Sequence, residues 1–246
     1  MKITKYKKVG KNRYNVYLED SQICLYEEII LKYNLLLKSD INIEELSNMI
    51  DENKYYEAYH MLLSYIEVKL RNKKELIKYL EKKEFDNKYI DFAINKIEEL
   101  GLLNNKVYIE CFINDKVNLG YDGPYKIKRE LIDNGFSSEE VDAYLYTFDD
   151  KVWEDKINKI IEKKLKILKN KSSYMIINKL KIDLYNMGYD KDMISSKLSN
   201  INIDNSNIIN EFNKASKKYK DKNKIINYLL RKGYSYSEVN DCFERK

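Results

Sequence analysis

A helix–turn–helix pattern recurs four times along the chain, and it restricts the fold more strongly than any other sequence feature. Each copy is centred on an aromatic residue, and these residues are Phe85, Phe136, Tyr189 and Tyr234. Leucine, isoleucine, valine or phenylalanine stands five and nine positions before and after each of them. These spacings predict two amphipathic helices that face each other, with the aromatic residue buried at the turn between them.

The turns of the four copies carry residues that end one helix and begin the next. Glycine, which adopts the left-handed conformation freely, precedes the aromatic residue in three copies, at Gly135, Gly188 and Gly233. Glu84 takes this place in the first copy, where we expect it to weaken the turn without changing the fold. The residues after the aromatic are predicted to cap the next helix with a side-chain oxygen, and they are Asp86, Ser137, Asp190 and Ser235.

A further apolar stripe precedes each copy, so each repeat is predicted to contain three helices. The stripes comprise Tyr59, Leu62, Leu63, Ile66 and Leu70; Val107, Tyr108, Cys111 and Phe112; Ile157, Ile160, Ile161, Leu165 and Leu168; and Ile208, Ile209 and Phe212. The repeats are predicted to span residues 54–103, 104–150, 151–204 and 205–246. Because stacked repeats bury faces that no single repeat can bury, we expect a mainly α protein, an elongated and curved array of tandem three-helix repeats.

Residues 1–53 are predicted to form a small cap of strands and helices before the first repeat. Apolar residues alternate with more polar ones at residues 14–18, as in a strand, so we expect a β-hairpin or a three-stranded sheet. A helical stripe follows at residues 25–36. A second short helix is predicted at residues 43–50, with Asn42 as its N-cap.

Charge is unevenly distributed along the chain, although the net charge is only +5. Residues 1–13 contain basic but no acidic side chains, residues 14–53 carry −7, and residues 151–246 carry +10. A basic surface attracts phosphate backbones or acidic protein partners, and added salt weakens this attraction. The carboxy-terminal part of the chain is therefore predicted to face a polyanion.

The residues that most enzymes require are missing or isolated. His60 is the only histidine, and Cys24, Cys111 and Cys242 form no CxxC pair, so we expect neither a zinc site nor a disulfide. Nucleotide-loop, zinc-protease and hydrolase motifs are absent from the sequence, so no enzyme activity, metal or cofactor is predicted. Cys111 is expected to be a small buried hydrophobe on its helix. No apolar run has the length of a membrane span or a signal-peptide core, so we expect a cytoplasmic location.

Clusters of lysine and arginine recur at related places in the repeats and form the candidate binding site. Any one lysine usually serves to solvate a helix, but the recurrence predicts one continuous basic track. The candidate residues are Lys69, Arg71, Lys73, Lys74, Lys126, Lys128, Arg129, Lys163, Lys164, Arg231 and Lys232. The densest lysine clusters lie at residues 163–171 and 214–224. Base stacking by some of the 23 tyrosines is a less favoured hypothesis, because many of them lie on core stripes.

Three linked segments between residues 64 and 145 read KLRNKKELIKYLEKKEF, then INKIEELGLLNNKVYIECFINDKV, then GPYKIKRELIDNGFSSEEV. In this order they resemble the RecX family of recombination regulators, small proteins that modulate the RecA recombinase. The matching residues are Glu75, Leu76, Leu80, Gly101, Leu102, Leu103, Tyr108, Gly123, Pro124, Ile127, Glu130, Leu131 and Gly135. The sequence departs from the family pattern at Glu84, Asn104, Asn105 and Asn134. The amino-terminal strand segment and the extra carboxy-terminal helices are similar to those of the longer Firmicute-type members.

The resemblance implies a non-enzymatic modulator that lies in the groove of the RecA nucleoprotein filament and inhibits its ATPase, co-protease and strand-exchange activities. Such a protein acts in DNA recombination, DNA repair and the SOS response. The expected partners are the RecA filament and, weakly and in a salt-sensitive way, single- or double-stranded DNA; no membrane partner is expected, and we expect a monomer. Two alternatives stay open, a sequence-independent DNA-binding repeat protein and a protein–protein scaffold without a nucleic-acid role.

Overall fold

The structure is a computed structural model that describes residues 1–168, 171–203 and 207–244. It divides into two compact units, Met1–Tyr108 and Ile109–Lys246. Lys169 of the basic cluster and the predicted repeat boundary after residue 204 lie outside the described residues.

The amino-terminal unit begins with a three-stranded antiparallel sheet, which confirms one of the two predicted arrangements. Its strands β1 (Ile3–Lys8), β2 (Arg13–Leu18) and β3 (Gln22–Tyr26) lie in the order β1-β2-β3. Alternation along β2 places Val16 and Leu18 in the core of the unit, because successive side chains of a strand point to opposite faces.

Helices make up most of the described chain, so the prediction of a mainly α protein with a small amino-terminal sheet is confirmed. They are α1 (Glu27–Lys32), α2 (Ile43–Val68), α3 (Lys73–Glu81), α4 (Asn87–Glu99), α5 (Asn105–Leu119), α6 (Pro124–Asp133), α7 (Ser138–Leu145), α8 (Asp150–Ile167), α9 (Ser173–Asn186), α10 (Lys191–Ser199), α11 (Asn207–Lys218), α12 (Lys222–Arg231) and α13 (Tyr236–Glu244). Within the described ranges, no helix combines the length and the apolar character that crossing a membrane requires.

The positions that the repeat pattern predicts to be buried agree with those buried in the structure. The aromatic residues and the residues five and nine positions away are buried in all four copies, except Phe85 and Phe243, which are partly buried. This burial follows from the spacing, which aligns one face of each helix with the turn. The two-helix part of the repeat was therefore predicted correctly.

The turns also behave as predicted, with one exception. Gly135, Gly188 and Gly233 have positive φ angles, and Glu84 adopts the same left-handed conformation at φ +63°. Side-chain oxygens cap α7, α10 and α13, but the carboxylate of Asp86 makes no capping hydrogen bond to α4. The prediction was wrong at this residue, where the extended backbone alone starts the helix.

The helices predicted within residues 25–50 differ from those observed. The helix predicted at residues 25–36 is limited to α1, because Leu25 belongs to β3 and Asn34 takes a left-handed conformation before a 3₁₀ turn. The short helix predicted at residues 43–50 continues without interruption to Val68, and Asn42 caps it as predicted. No glycine or proline interrupts this stretch, so α2 extends across residue 53 and carries side chains to two successive hydrophobic cores.

The prediction for Cys111 was wrong, because this residue is exposed. The buried side chains of α5 are Ile109, Ile113 and Val117, a stripe that begins two positions after the predicted one. Six of the seven residues from 107 to 113 are apolar, so the periodicity alone does not select one face of the helix. The stripe predicted for α11 differs in the same way, because Ile208 and Phe212 are buried but Ile209 is exposed.

Candidate functional site

Two residues of the predicted basic cluster of the first repeat, Arg71 and Lys73, form contacts with other side chains of the amino-terminal unit. The Arg71 guanidinium lies 4.1 Å from the ring centroid of Tyr65, and its Nη1 donates to Glu75 Oε1 at 3.3 Å. The Lys73 ammonium donates to Glu98 Oε1 at 2.7 Å. Both positive charges are therefore matched by a carboxylate of the same unit.

The other two members of this cluster are more accessible. Lys69 follows α2 and Lys74 lies in the first turn of α3, and both side chains are exposed. Both side chains are therefore accessible from solvent.

The three predicted residues of α6 do not share one surface. Lys126 and Arg129 lie three positions apart and line the same groove, whereas Lys128 points to another face and donates to Asp142 at 2.5 Å. The structure therefore separates Lys128 from the other two members of its cluster.

A groove of about 550 Å³ runs between α6 and the turn that joins α9 to α10, and we call it the α6–α9 groove. Its lining includes Tyr125, Lys126, Arg129, Tyr185 and Lys191, together with the acidic residues Asp190 and Asp192 at the start of α10. Tyr125 and Tyr185 are 59% and 54% exposed, so their rings are accessible beside the three cations. An accessible groove with cations and aromatic rings can bind an extended anionic chain.

Close backbone approach fixes one side of the α6–α9 groove. Gly123 N donates to Met187 O at 2.6 Å, and Tyr125 N donates to Gly188 O at 3.0 Å. A Cβ atom would lie 2.5 Å from a backbone atom at Gly123 and 2.4 Å at Gly188, so both positions need glycine. The turn of the third repeat is thereby held against the start of α6.

A related contact joins the third and fourth repeats. Ser172 Oγ, at the start of α9, donates to Lys232 O at 3.0 Å in the turn before α13. A Cβ atom at Gly233 would lie 2.6 Å from that same Ser172 oxygen. The glycine of each of these turns therefore ends a helix and also allows the preceding repeat to approach.

The cations of the α6–α9 groove differ in how fully their charge is matched. Lys126 donates to Asp122 Oδ1 at 2.7 Å, and Lys116 binds the other oxygen of this carboxylate. Burial alone would raise the pKa of Asp122, but these two hydrogen bonds hold it below its ordinary value. Within the described ranges, Arg129 and Lys191 form no ion pair, so their charges remain available to a ligand.

The two predicted lysines of α8 point to different partners. Lys163 Nζ donates to the Tyr121 hydroxyl at 2.6 Å, whereas Lys164 forms an ion pair with Asp183 of α9. Burial would raise the pKa of Asp183, but its hydrogen bonds from Lys164 and Lys179 lower it. Lys164 therefore ties α8 to α9, and Lys163 faces an exposed loop.

The two predicted basic residues of the fourth repeat, Arg231 and Lys232, also differ in their surroundings. Lys232 Nζ lies 3.5 Å from Glu211 Oε2, and this buried carboxylate also accepts hydrogen bonds from Lys214 and the Tyr228 hydroxyl. Arg231 is exposed at the end of α12.

His60, the single histidine of the sequence, packs against residues of the amino-terminal unit. Its Nε2 lies 2.8 Å from Glu28 Oε1, and its ring stacks on Tyr26 with a centroid distance of 4.6 Å. In the part of the chain that the structure describes, no group of three or more histidine, cysteine, aspartate or glutamate residues is placed to hold a metal ion.

Sequence reasoning missed Lys191, Tyr125 and Tyr185 of the α6–α9 groove. Lys191 stands two residues after the repeat aromatic Tyr189, so its proximity to the glycine turn was a usable signal. The approach of this turn to α6 depends on contact between repeats, which periodicity within a single repeat does not report.

Fold and site together define a class of protein, a mainly helical protein of three-helix units with basic residues on accessible faces. Comparison with known proteins then identifies the family. The family model described as the third three-helix domain of RecX matches residues 212–243. A regulatory protein RecX of Streptococcus agalactiae is 31% identical over 98% of this chain and 98% of its own. The chain belongs to the RecX family of regulatory proteins.

Another relative and two solved structures are also similar to this chain. A regulatory protein RecX of Oceanobacillus iheyensis is 24% identical over 99% of this chain and 96% of its own. A crystal structure of a regulatory protein RecX matches with a TM-score of 0.67 and 19% identity, over 79% of this chain and 97% of the other. The crystal structure of RecX from Lactobacillus salivarius matches with a TM-score of 0.54 and 27% identity, over 61% of this chain and 99% of the other.

Proposed function

We propose that this protein is a non-enzymatic regulator of homologous recombination and DNA repair that binds the RecA nucleoprotein filament and inhibits its ATPase, co-protease and strand-exchange activities. Membership of the RecX family of regulatory proteins supports a regulatory role. The observation that carries the proposed site is the α6–α9 groove, where Arg129 and Lys191 present positive charge beside two exposed tyrosines.

The proposed mechanism is steric and electrostatic. A nucleoprotein filament presents DNA phosphates and acidic protein side chains, and both are attracted by cations that have no carboxylate partner. A regulator held in this way bridges adjacent RecA subunits, blocks the path of a second DNA strand and favours filament disassembly. Lys69, Lys74, Lys126, Lys163 and Arg231 are proposed as further contacts, because their side chains are exposed or partly exposed.

The proposed function is tested by single-stranded-DNA-dependent ATP hydrolysis by RecA of the same organism, with this protein titrated from substoichiometric amounts. The wild-type protein is expected to inhibit below one molecule per RecA subunit, and added salt is expected to weaken the inhibition. The double variant Arg129→Glu/Lys191→Glu is expected to need about tenfold more protein for half-inhibition, because its groove repels anions.

The control is Lys82→Glu/Lys106→Glu, which changes the net charge by the same amount at exposed positions outside the predicted basic clusters. It is expected to inhibit like the wild type if the groove is the site. Equal loss of inhibition in both double variants would assign the effect to net charge alone. An absence of inhibition by the wild-type protein at equimolar amounts would contradict the proposed function itself.

Direct DNA binding is a second candidate function, and one observation favours it. The exposed rings of Tyr125 and Tyr185 flank the cations of the groove, as in proteins that stack single-stranded bases beside a charged channel. Tight binding to DNA without RecA, with a steep dependence on salt, would support this function. Tyr125→Ala and Tyr185→Ala are then expected to weaken binding to single strands more than binding to duplex DNA.

A further inference from the structure

Two ammonium groups of α8 lie beside the exposed ring of Tyr121, outside the α6–α9 groove, and a third lysine lies nearby on the same helix. Lys163 Nζ donates to the Tyr121 hydroxyl at 2.6 Å and lies 4.5 Å from the ring centroid. Lys156 Nζ lies 6.0 Å from the same centroid. Lys159 stands four residues before Lys163, which places both side chains on one face of the helix.

The loop that carries Tyr121 is held firmly by buried groups. The Lys156 side chain is buried, and its ammonium donates to Gly120 O at 2.6 Å, at the carboxy-terminal end of α5. The Tyr189 hydroxyl, in a buried side chain, donates to Tyr121 O at 2.8 Å. The carbonyl groups of Gly120 and Tyr121 are therefore held in place, while the Tyr121 side chain remains 38% exposed.

Among the described residues, no carboxylate forms an ion pair with the lysines around this ring, although the charge of Asp122 acts on Lys156. In the described part of the chain, Lys156, Lys159 and Lys163 form no ion pair, although Asp155 and Glu162 lie on the same helix. The oxygens of Asp122, the residue after Tyr121, are occupied by Lys116 and Lys126. Like charges four residues apart on a helix repel each other, so a bound anion would relieve a local electrostatic cost.

Two shifted pKa values agree with a positive potential at this place. The hydrogen bond from Lys163, together with the charges of Lys159 and Lys156, lowers the pKa of Tyr121. Burial lowers the pKa of Lys156, and the neighbouring charge of Lys159 lowers it further.

We propose that Tyr121, Lys159 and Lys163 form a binding site for a single phosphate group of a nucleic-acid backbone. The hydroxyl can donate one hydrogen bond, and the two ammonium groups supply further donors and charge for the remaining phosphate oxygens. A phosphodiester fits an exposed site of this kind, because the strand can enter and leave on the solvent side. This proposal rests on the second candidate function, direct DNA binding, and assigns it a particular phosphate site, which can be tested without RecA.

The first test measures binding of the full-length protein to a fluorescein-labelled single-stranded oligonucleotide at several salt concentrations. Lys159→Glu/Lys163→Glu is expected to bind about tenfold more weakly at low salt, and to reduce the salt slope by about one. The control Lys82→Glu/Lys106→Glu, at exposed positions outside the predicted basic clusters, has the same net charge and is expected to bind like the wild type. Unchanged binding in the first variant, or equal weakening in both, would overturn the proposal.

The second test uses Tyr121→Phe, which keeps the ring and removes the hydroxyl. Its melting temperature is expected to match that of the wild type, because the buried partner of Tyr189 is the backbone carbonyl of residue 121 and not the side chain. Its affinity for the oligonucleotide is expected to fall about threefold, because the phosphate loses one hydrogen bond and water replaces that bond only in part. Wild-type affinity would overturn the assignment of Tyr121.

A third test distinguishes a nucleic-acid phosphate from a small phosphate ligand. The ionisation of Tyr121 is followed by ultraviolet absorbance as the difference between the titration curves of the wild type and Tyr121→Phe. The oligonucleotide is expected to raise the pKa of Tyr121 towards its ordinary value of 10.0, because it neutralises the surrounding lysines. Inorganic phosphate at the same phosphate concentration is expected to shift it less. A shift with inorganic phosphate and none with the oligonucleotide would overturn the nucleic-acid assignment in favour of a small phosphate ligand.

Discussion

Arg71 and Lys69 show how two basic residues of one cluster differ in role. The Tyr65 ring, on which Arg71 lies, itself stacks on Tyr79 with a centroid distance of 4.0 Å. The neighbouring Asn72 and Glu75 form a capping box at the start of α3, so the Arg71–Glu75 contact supports a helix terminus as well. Lys69, two residues away, is exposed. Sequence alone reports the same charge at both positions.

We therefore predict that Arg71→Ala lowers the free energy of unfolding by about 1–2 kcal/mol, because it removes a ring contact, the packing of the side-chain stem and an ion pair. Lys69→Ala serves as the matched control and is expected to change this free energy by less than about 0.5 kcal/mol. Urea denaturation followed by circular dichroism measures both. Equal effects of the two substitutions would show that Arg71 adds nothing beyond a surface charge.

Lys163 and Lys164 also differ in role, although they lie within one turn of the same helix. They are adjacent in sequence, yet one faces the Tyr121 hydroxyl and the other pairs with Asp183 on α9. The helical period explains why they diverge, since neighbouring residues on a helix do not face each other. Their individual partners depend on which elements pack beside α8, and the density of lysines does not report that packing.

At the scale of the element, the helix–turn–helix of the repeat was largely predictable from sequence. The aromatic residue, the glycine and the apolar spacing all favour the same turn, so they could be assigned from local rules. Glu84 shows how strong the combination is, because a glutamate takes the left-handed conformation that glycine takes in the other copies. The packing of Leu76, Leu80 and Ile90 around this turn outweighs the backbone preference of glutamate.

Because a non-glycine residue pays a conformational cost at positive φ, we predict that Glu84→Gly stabilises the protein by about 1 kcal/mol. Lys83→Gly is the control, since Lys83 lies one position earlier and does not have a positive φ. It is expected to leave stability unchanged or to lower it by less than about 1 kcal/mol. Thermal unfolding of the full-length chain measures both, and destabilisation by Glu84→Gly would contradict the account of this turn.

Elements that serve more than one core were predicted less well. α2 carries Met49 into the core of the sheet and Leu62 into the core of the first repeat, so its two apolar stripes were interpreted as separate helices. In α5, apolar residues lie on several faces, and the stripe predicted through Cys111 is not the buried one. Periodicity identifies a helix in both cases, but it does not identify which face another element covers.

At the scale of the whole molecule, sequence predicted the fold class and the family, whereas the candidate site could be predicted only in part. Lys126 and Arg129 were selected from charge, and both line the α6–α9 groove. Tyr125, Tyr185 and Lys191 were not selected, because the contact between Gly123 and Gly188 brings residues of different repeats together. The division of the chain into four repeats at the stated boundaries stays a prediction.

The two compact units each contain hydrophobic clusters of their own, and this arrangement has a consequence for stability. The cluster around Leu62 draws its buried residues from positions 58–97, and the cluster of the last repeat draws its buried residues from positions 208–239. In repeat proteins, each unit contributes its own stability and mainly supports its neighbours, so different parts of one chain open with different free energies.

We predict that Leu62→Ala and Leu180→Ala, each of which removes a fully buried side chain, cost about 2–5 kcal/mol locally and affect different parts of the chain. Hydrogen exchange measured by mass spectrometry is expected to show faster exchange in α3 and α4 for Leu62→Ala, and in α8 to α10 for Leu180→Ala. The exchange of the slowest amides in the other unit is expected to change much less, because they open through their own core. Uniform acceleration throughout the chain by either substitution would show instead that the two units unfold as one cooperative structure.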